Sequence, residues 1–171
     1  MALALATLTD ELEAMLDSLA APGAPDAGTA WAEAFGEYFK GAGDPLKAAA
    51  WAGVPVLAAQ VDALLKPAMA AAMTFPDPDV TPGTAGAVLI AGFQAFWAPI
   101  VATPITYWPL MIVCVLPTGI AALDLSPAFA ANNAPGVTNA QAAAALAAII
   151  HPICGLTGTG AIPPASPTPI A

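Results

Sequence analysis

Residues 85–123, AGAVLIAGFQAFWAPIVATPITYWPLMIVCVLPTGIAAL, run for 39 residues without a charged side chain and carry two of the four tryptophans. Such a segment must be hidden from water, in the chain's own core, in a lipid bilayer or against neighbouring protein subunits. Leu89, Phe93, Phe96, Trp97 and Ile100 fall on one side of a helix from residue 85 to about 98, with alanine and glycine opposite, and Thr84 stands where an N-cap belongs. Thr103-Pro104 and Trp108-Pro109 bracket an extended connector. Residues 110–116, LMIVCVL, are consecutive apolar residues closed by a proline. Periodicity does not separate a buried strand from a buried helical turn in so short a run, and its β-branched content leans it towards extended or mixed backbone. Pro117-Thr118-Gly119 then opens a helix over about residues 120–131, interrupted near Ser126-Pro127.

A bilayer is the first alternative to test. Residues 85–103 have about the length that spans hydrocarbon, and 109–123 offer a shorter second pass. Yet these spans hold Gln94, Pro99 and Pro117, no lysine or arginine flanks either end, and the ATPITYWP between them is not a polar loop. Protein neighbours are the better reading, with a membrane span near 85–103 kept as an alternative.

Charge places the rest of the chain around this segment. Only 9% of the 171 residues are charged, against about 25% in an average soluble domain, and net charge is −9 with three Lys+Arg. All three are lysines: Lys40, Lys47 and Lys66. Nucleic-acid binding needs a basic surface that this chain does not have, and an anionic membrane surface repels it. Eleven of the twelve acids lie between Asp10 and Asp79; from residue 80 onward only Asp124 is charged. The chain therefore divides into a charged half, 1–79, that faces water unaided and a neutral half, 84–155, that does not. The linker 74–83, TFPDPDVTPG, joins them.

Nineteen prolines cut the alanine-rich chain into short helices. Leu8, Leu12, Met15, Leu16 and Leu19 form one stripe of a helix over about residues 3–19. The N-terminal MALALATLTDELEAML lacks a basic region and turns acidic by Asp10, unlike a secretory signal. Trp31, Phe35, Tyr38 and Phe39 form the stripe of a second helix, about 30–42, with Thr29 as its expected N-cap and Glu33 near the capping-box position. An aromatic stripe of this kind reads as core. A third region, 45–73, keeps a stripe through Val54, Leu57, Val61, Leu64, Leu65, Met69 and Met73, with kinks or a division into two to three shorter pieces expected from Pro55 and Pro67. Asp62 and Lys66, at i and i+4, read as a surface pair. Thr138 caps a last helix from 139 to about 150. The tail, 156–171, holds a proline-rich end and should be extended, polyproline-like and free to lie along another surface. The expected fold is thus all-α: one domain, 1–155, of short proline-punctuated helices with an extended C-terminal tail.

Little in this chain can do chemistry. The one histidine, His151, lies three residues from Cys154, but no acid stands nearby to orient a Cys-His pair. Cys114, Cys154 and His151 make up the whole inventory for a zinc site, and Asp77 and Asp79 fall far short of a calcium shell. Phosphate-loop, dinucleotide, nucleophile-elbow and HExxH patterns do not occur. The two cysteines read either as buried thiols or as one bridge. The expectation is a non-enzymatic chain with no cofactor, no metal, no small-molecule substrate and no nucleic-acid partner.

The residues GFQAFW (92–97), TPITYWP (103–109), PTGIAAL (117–123), FAAN (129–132), AAIIH (147–151), the closing PIA and the early TDELEAM (9–15) together resemble a group of small alanine-rich proteins. These are encoded among the virion structural genes of tailed, often contractile-tailed, bacteriophages and prophages. The resemblance spans most of the chain, on packing and turn residues, and brings no catalytic or binding residue with it. It implies a structural subunit of a virion assembled in the host cytoplasm, in the tail, baseplate or neck, whose partners are other virion proteins and copies of itself. A capsid cement or decoration role is the alternative site. On this reading Phe93, Phe96, Trp97 and Trp108 of the neutral half, with Ile162, Pro163, Pro164 and Pro167 of the tail, are the expected interface.

Overall fold

The fold follows from where helix-starting side chains sit relative to the apolar stripes. A computed structural model describes residues 4–41, 61–75, 81–102, 105–107, 110–115, 119–153, 157–161 and 168–170. Helix α1 (Leu5–Ala20) buries Leu8, Leu12 and Met15, as its stripe predicts. Helix α2 (Ala27–Gly41) begins earlier than expected, because Asp26 rather than Thr29 caps it. The Asp26 carboxylate accepts hydrogen bonds from the Thr29 amide at 2.9 Å, the Thr29 hydroxyl at 2.7 Å and the Gly28 amide at 3.3 Å. These bonds, that of the Thr29 hydroxyl foremost, hold the Asp26 carboxyl below its ordinary pKa.

Of the third region, residues 42–60 lie outside the described part. A π-helical turn, Val61–Leu65, runs into helix α3 (Lys66–Ala72). Pro67 sits in the first turn of α3, where its missing N–H leaves no gap, so at this proline the region is divided into shorter pieces, one of the two expected outcomes, and is not kinked. Helix α4 (Pro82–Ala102) is the long helix of the neutral half. Its cap is Thr81, whose hydroxyl accepts from the Thr84 amide at 3.2 Å, and it passes through Pro99. A 3₁₀ turn, Ile120–Ala122, leads to α5 (Ser126–Asn132), and α6 (Asn139–Ile150) follows. Thr138 caps α6 as expected, in a full capping box with Gln141. Thr138→Ala is expected to cost about 1 kcal/mol, read as a lower urea midpoint at unchanged slope.

The body of the domain is thus all-α, six α-helices among the described residues. They close a ring in the order α1, α2, α3, α4, α5, α6, with α6 returning onto α1. The Asn139 side-chain amide donates to Asp17 at 2.7 Å across that closing seam. No helix among the described residues is long and apolar enough to cross a membrane. The bulky face of α4 is turned into the ring: Leu89, Phe96 and Trp97 have no exposed surface, and Phe93 almost none.

Four short strands add an antiparallel meander: β1 (Ile105–Tyr107), β2 (Leu110–Val115), β3 (Thr157–Ala161) and β4 (Thr168–Ile170). The LMIVCVL run is therefore a strand over its described part. The tail is extended, as expected, but its described parts pair within the same chain. Thr157 to Ala161 lie opposite Val115 to Met111, and Pro169 stands opposite Thr159. The polyproline expectation gives way here because TGTGA has no proline to break a ladder, while Pro169 is on the outermost strand, where a missing N–H is tolerated.

Candidate functional site

The aromatic residues expected at an interface are in the core. α2 and α4 face each other across the helical ring, and aromatic side chains fill the space between them. The Phe35 ring centroid is 4.8 Å from that of Phe93 and 4.8 Å from that of Phe96; Phe39 is 4.7 Å from Trp97. Most of these pairs meet edge to face, the arrangement that aligns the positive ring edge with a negative face. Phe93, Phe96 and Trp97 therefore touch α2 of their own chain, and the interface expectation is corrected for all three. The reason is chemical: the stripe on α2 offers four aromatic residues of matching size, and both stripes bury at once when the helices turn face to face. The Trp97 indole Nε1 has no hydrogen-bond partner among the described residues, a cost that the packing carries. Trp108, Ile162, Pro163, Pro164 and Pro167 lie outside the described residues.

The polar side of α2 holds the main electrostatic feature. Glu33, Glu37 and Lys40 lie on its solvent-facing stripe, and the π-helical turn brings Asp62 and Lys66 against them. Lys66 Nζ meets Glu37 at 2.6 Å, Glu33 at 2.8 Å and Asp62 at 2.9 Å; Lys40 Nζ meets Glu37 at 2.6 Å and Asp62 at 2.8 Å. The expected surface pair Asp62–Lys66 is therefore part of a five-member network, and Lys66 is only 8% exposed. Its stem lies over Gly36, where a Cβ would run into Lys66 Cε and Cγ. A visible signal was available: α2 carries Glu33, Glu37 and Lys40 one turn apart, and a chain with so few cations surrounds each with several carboxylates. What periodicity could not show was that the lysine stem would find a glycine to lie against.

Burial opposes the charge on Lys66, but hydrogen bonds to Glu33, Glu37 and Asp62 outweigh it and hold the ammonium pKa above its ordinary value. Glu37 is held low by its bonds to Lys40 and then Lys66, and Asp62 likewise. Glu11 on α1 is the opposite case: burial first, then the charges of Glu37, Asp10 and Glu33, push its carboxyl up. A lysine held protonated by three carboxylates is a poor nucleophile, so the network ties α2 to α3 and does not prepare an amine for chemistry.

The signs of these shifts set a pH profile. Stability from Glu37 and Asp62 is present above the ordinary carboxylate pKa and is lost as pH falls through their depressed values. Glu11, raised in the fold, destabilises the charged state at neutrality, and that penalty is relieved as pH falls through its raised value. The melting temperature should therefore rise slightly as pH falls through the raised Glu11 value towards the ordinary carboxylate range, and drop as pH falls further through the depressed values of Glu37 and Asp62. Glu11→Gln should abolish the rise and leave the drop. A monotonic fall from pH 7 in the parent chain would contradict the assignment.

His151 follows α6 in a 3₁₀ turn, and its Nδ1 is 2.7 Å from the hydroxyl of buried Tyr38. The imidazole is thereby tied to α2. Among the described residues no three His, Cys, Asp or Glu side chains are grouped to hold a metal ion. Cys154 lies outside the described residues, and Cys114 falls in β2. Comparison with protein-family models, characterised proteins and solved structures finds no match for this chain.

Proposed function

We propose that the chain is a non-enzymatic structural subunit of a tailed-bacteriophage virion, seated in the tail, baseplate or neck and held by protein–protein contacts. The observation that carries this reading is the charge division: one charged residue from position 80 to the C-terminus, against all the others before it. With Phe93, Phe96 and Trp97 taken into the core, contacts to neighbours fall to the outer surface of the neutral half. On α4 that surface is Ala87, Ala91, Gln94 and Ala98, all exposed and none charged. Such a face costs little to dehydrate and lets a neighbouring backbone come close. The resemblance of the packing segments to small virion proteins supports the same reading. The groups able to react also serve packing: Lys66 joins α2 to α3, and His151 is bonded to Tyr38.

Particles of the phage or induced prophage that encodes the chain provide the test. The chain is expected in purified particles and should survive a mild detergent wash. Absence from particles, with recovery in a carbonate-resistant membrane fraction, would contradict the proposal.

A further inference from the structure

The charged half has a surface groove of its own. Between α1 and α2 lies an open groove of about 360 Å³, lined by buried Met15, Ala30 and Ala34, by Ala14, Glu11 and Glu33, and towards the α1–α2 turn by Ser18, Pro25 and Thr29. The three buried residues form its floor, while Ala14 is exposed on one rim and the Glu33 side chain is 62% exposed on the other. The groove is mostly apolar, yet its rim is acidic. Both cations of the described part, Lys40 and Lys66, are engaged by Glu33, Glu37 and Asp62. Among the described residues, Asp10 and Glu11 have no cation at hydrogen-bond distance.

From this geometry we infer that the α1–α2 groove docks a lysine- or arginine-bearing segment of a partner protein, with the aliphatic stem on Met15, Ala30 and Ala34 and the cation at Glu11. The complementarity is in two parts. A long basic side chain is apolar along its stem and charged at its tip, matching an apolar floor that ends at a carboxylate. The surrounding acids also attract such a segment from a distance and repel an acidic one, which sets selectivity. The Glu11 carboxyl is raised first by burial and then by the charges of Glu37, Asp10 and Glu33, and a partner cation would relieve that second, repulsive part. The inference concerns a surface other than the neutral face and stands whether or not the assembly is a virion.

The test uses the full chain and two alanine-based helical peptides, one with lysines at i and i+4 and one with glutamates there. Backbone amide shifts are followed by NMR at low and physiological ionic strength. The lysine peptide is expected to shift Met15, Ala30 and Ala34, more weakly as salt rises, while the glutamate peptide leaves them in place. Glu11→Lys should weaken binding by about tenfold or more, the scale of one charge-assisted contact. Ala14→Phe, which fills the groove from an exposed position, should weaken it independently. Both variants are expected to keep the parent circular dichroism, because neither residue joins the Lys66 network. No shift with the lysine peptide, equal binding of both peptides, or unchanged affinity in Glu11→Lys would each overturn the inference.

Discussion

Phe35→Ala is expected to lower stability by about 3–5 kcal/mol, a large part of the 5–15 kcal/mol typical of a whole domain. Phe35 is 1% exposed and touches rings from both sides of the ring of helices: Tyr38 on its own helix, and Phe93, Phe96 and Trp97 on α4. Truncation removes the transfer energy of a large side chain and leaves a cavity that α2 and α4 close only by moving together. That movement is resisted, because α3 stands between them on the ring. Urea unfolding reads the effect as a shifted midpoint. A loss under about 1 kcal/mol would mean that the aromatic contacts between α2 and α4 do not form the centre of the core.

The second large effect has a sign opposite to helix propensity. Gly28→Ala lies inside the first turn of α2, where alanine ordinarily adds about 1 kcal/mol. Here a Cβ would stand 2.5 Å from the carbonyl oxygen of Met73 and 3.1 Å from that of Ala70. Both obstacles are backbone at the end of α3, so neither can rotate away. The variant should therefore be destabilised by about 1–3 kcal/mol despite the better helix former. Gly83→Ala, in the first turn of α4, is the control. A Cβ there has only two side-chain oxygens near it, both at 4.0 Å, so that substitution should be neutral or stabilising by a few tenths of a kcal/mol. If Gly28→Ala behaves like Gly83→Ala, α2 and α3 do not approach as closely as the structure has them.

These two sites show which parts of the molecule are legible in its sequence. α1 and α6 are, because each has a clean stripe, and Thr138 followed by Gln141 is a local cap that nothing competes with. The all-α body follows from such stripes cut by prolines. The start of α2 is less legible: Asp26 and Thr29 are both good caps, and Asp26 wins because its two carboxylate oxygens serve the amides and the hydroxyl together. The aromatic stripe on α4 is legible as something to be buried, but a one-sided stripe does not carry the identity of its partner. It meets α2 of the same chain, where an interface was expected. Close approaches at Gly28, Gly36 and Gly92 are invisible for a related reason. A helical glycine looks like a weak helix former until its neighbour is known; at Gly92 that neighbour is Met73, whose Sδ would be 2.5 Å from an added Cβ. Lys66 combines both problems: its i, i+4 spacing with Asp62 is local, but its burial depends on α2.

The central claim, a virion subunit whose neutral half lies against protein neighbours, is tested most directly by a cryo-EM reconstruction of the intact particle that encodes the chain. Density for the helical ring is expected at a copy number that is a fixed multiple of the local symmetry. In that density the outer face of α4 should be covered by adjacent subunits, with the acidic α1–α2 side at a basic segment or in solvent. A reconstruction with no such density, or one with Ala87, Ala91, Gln94 and Ala98 facing open solvent, would contradict it.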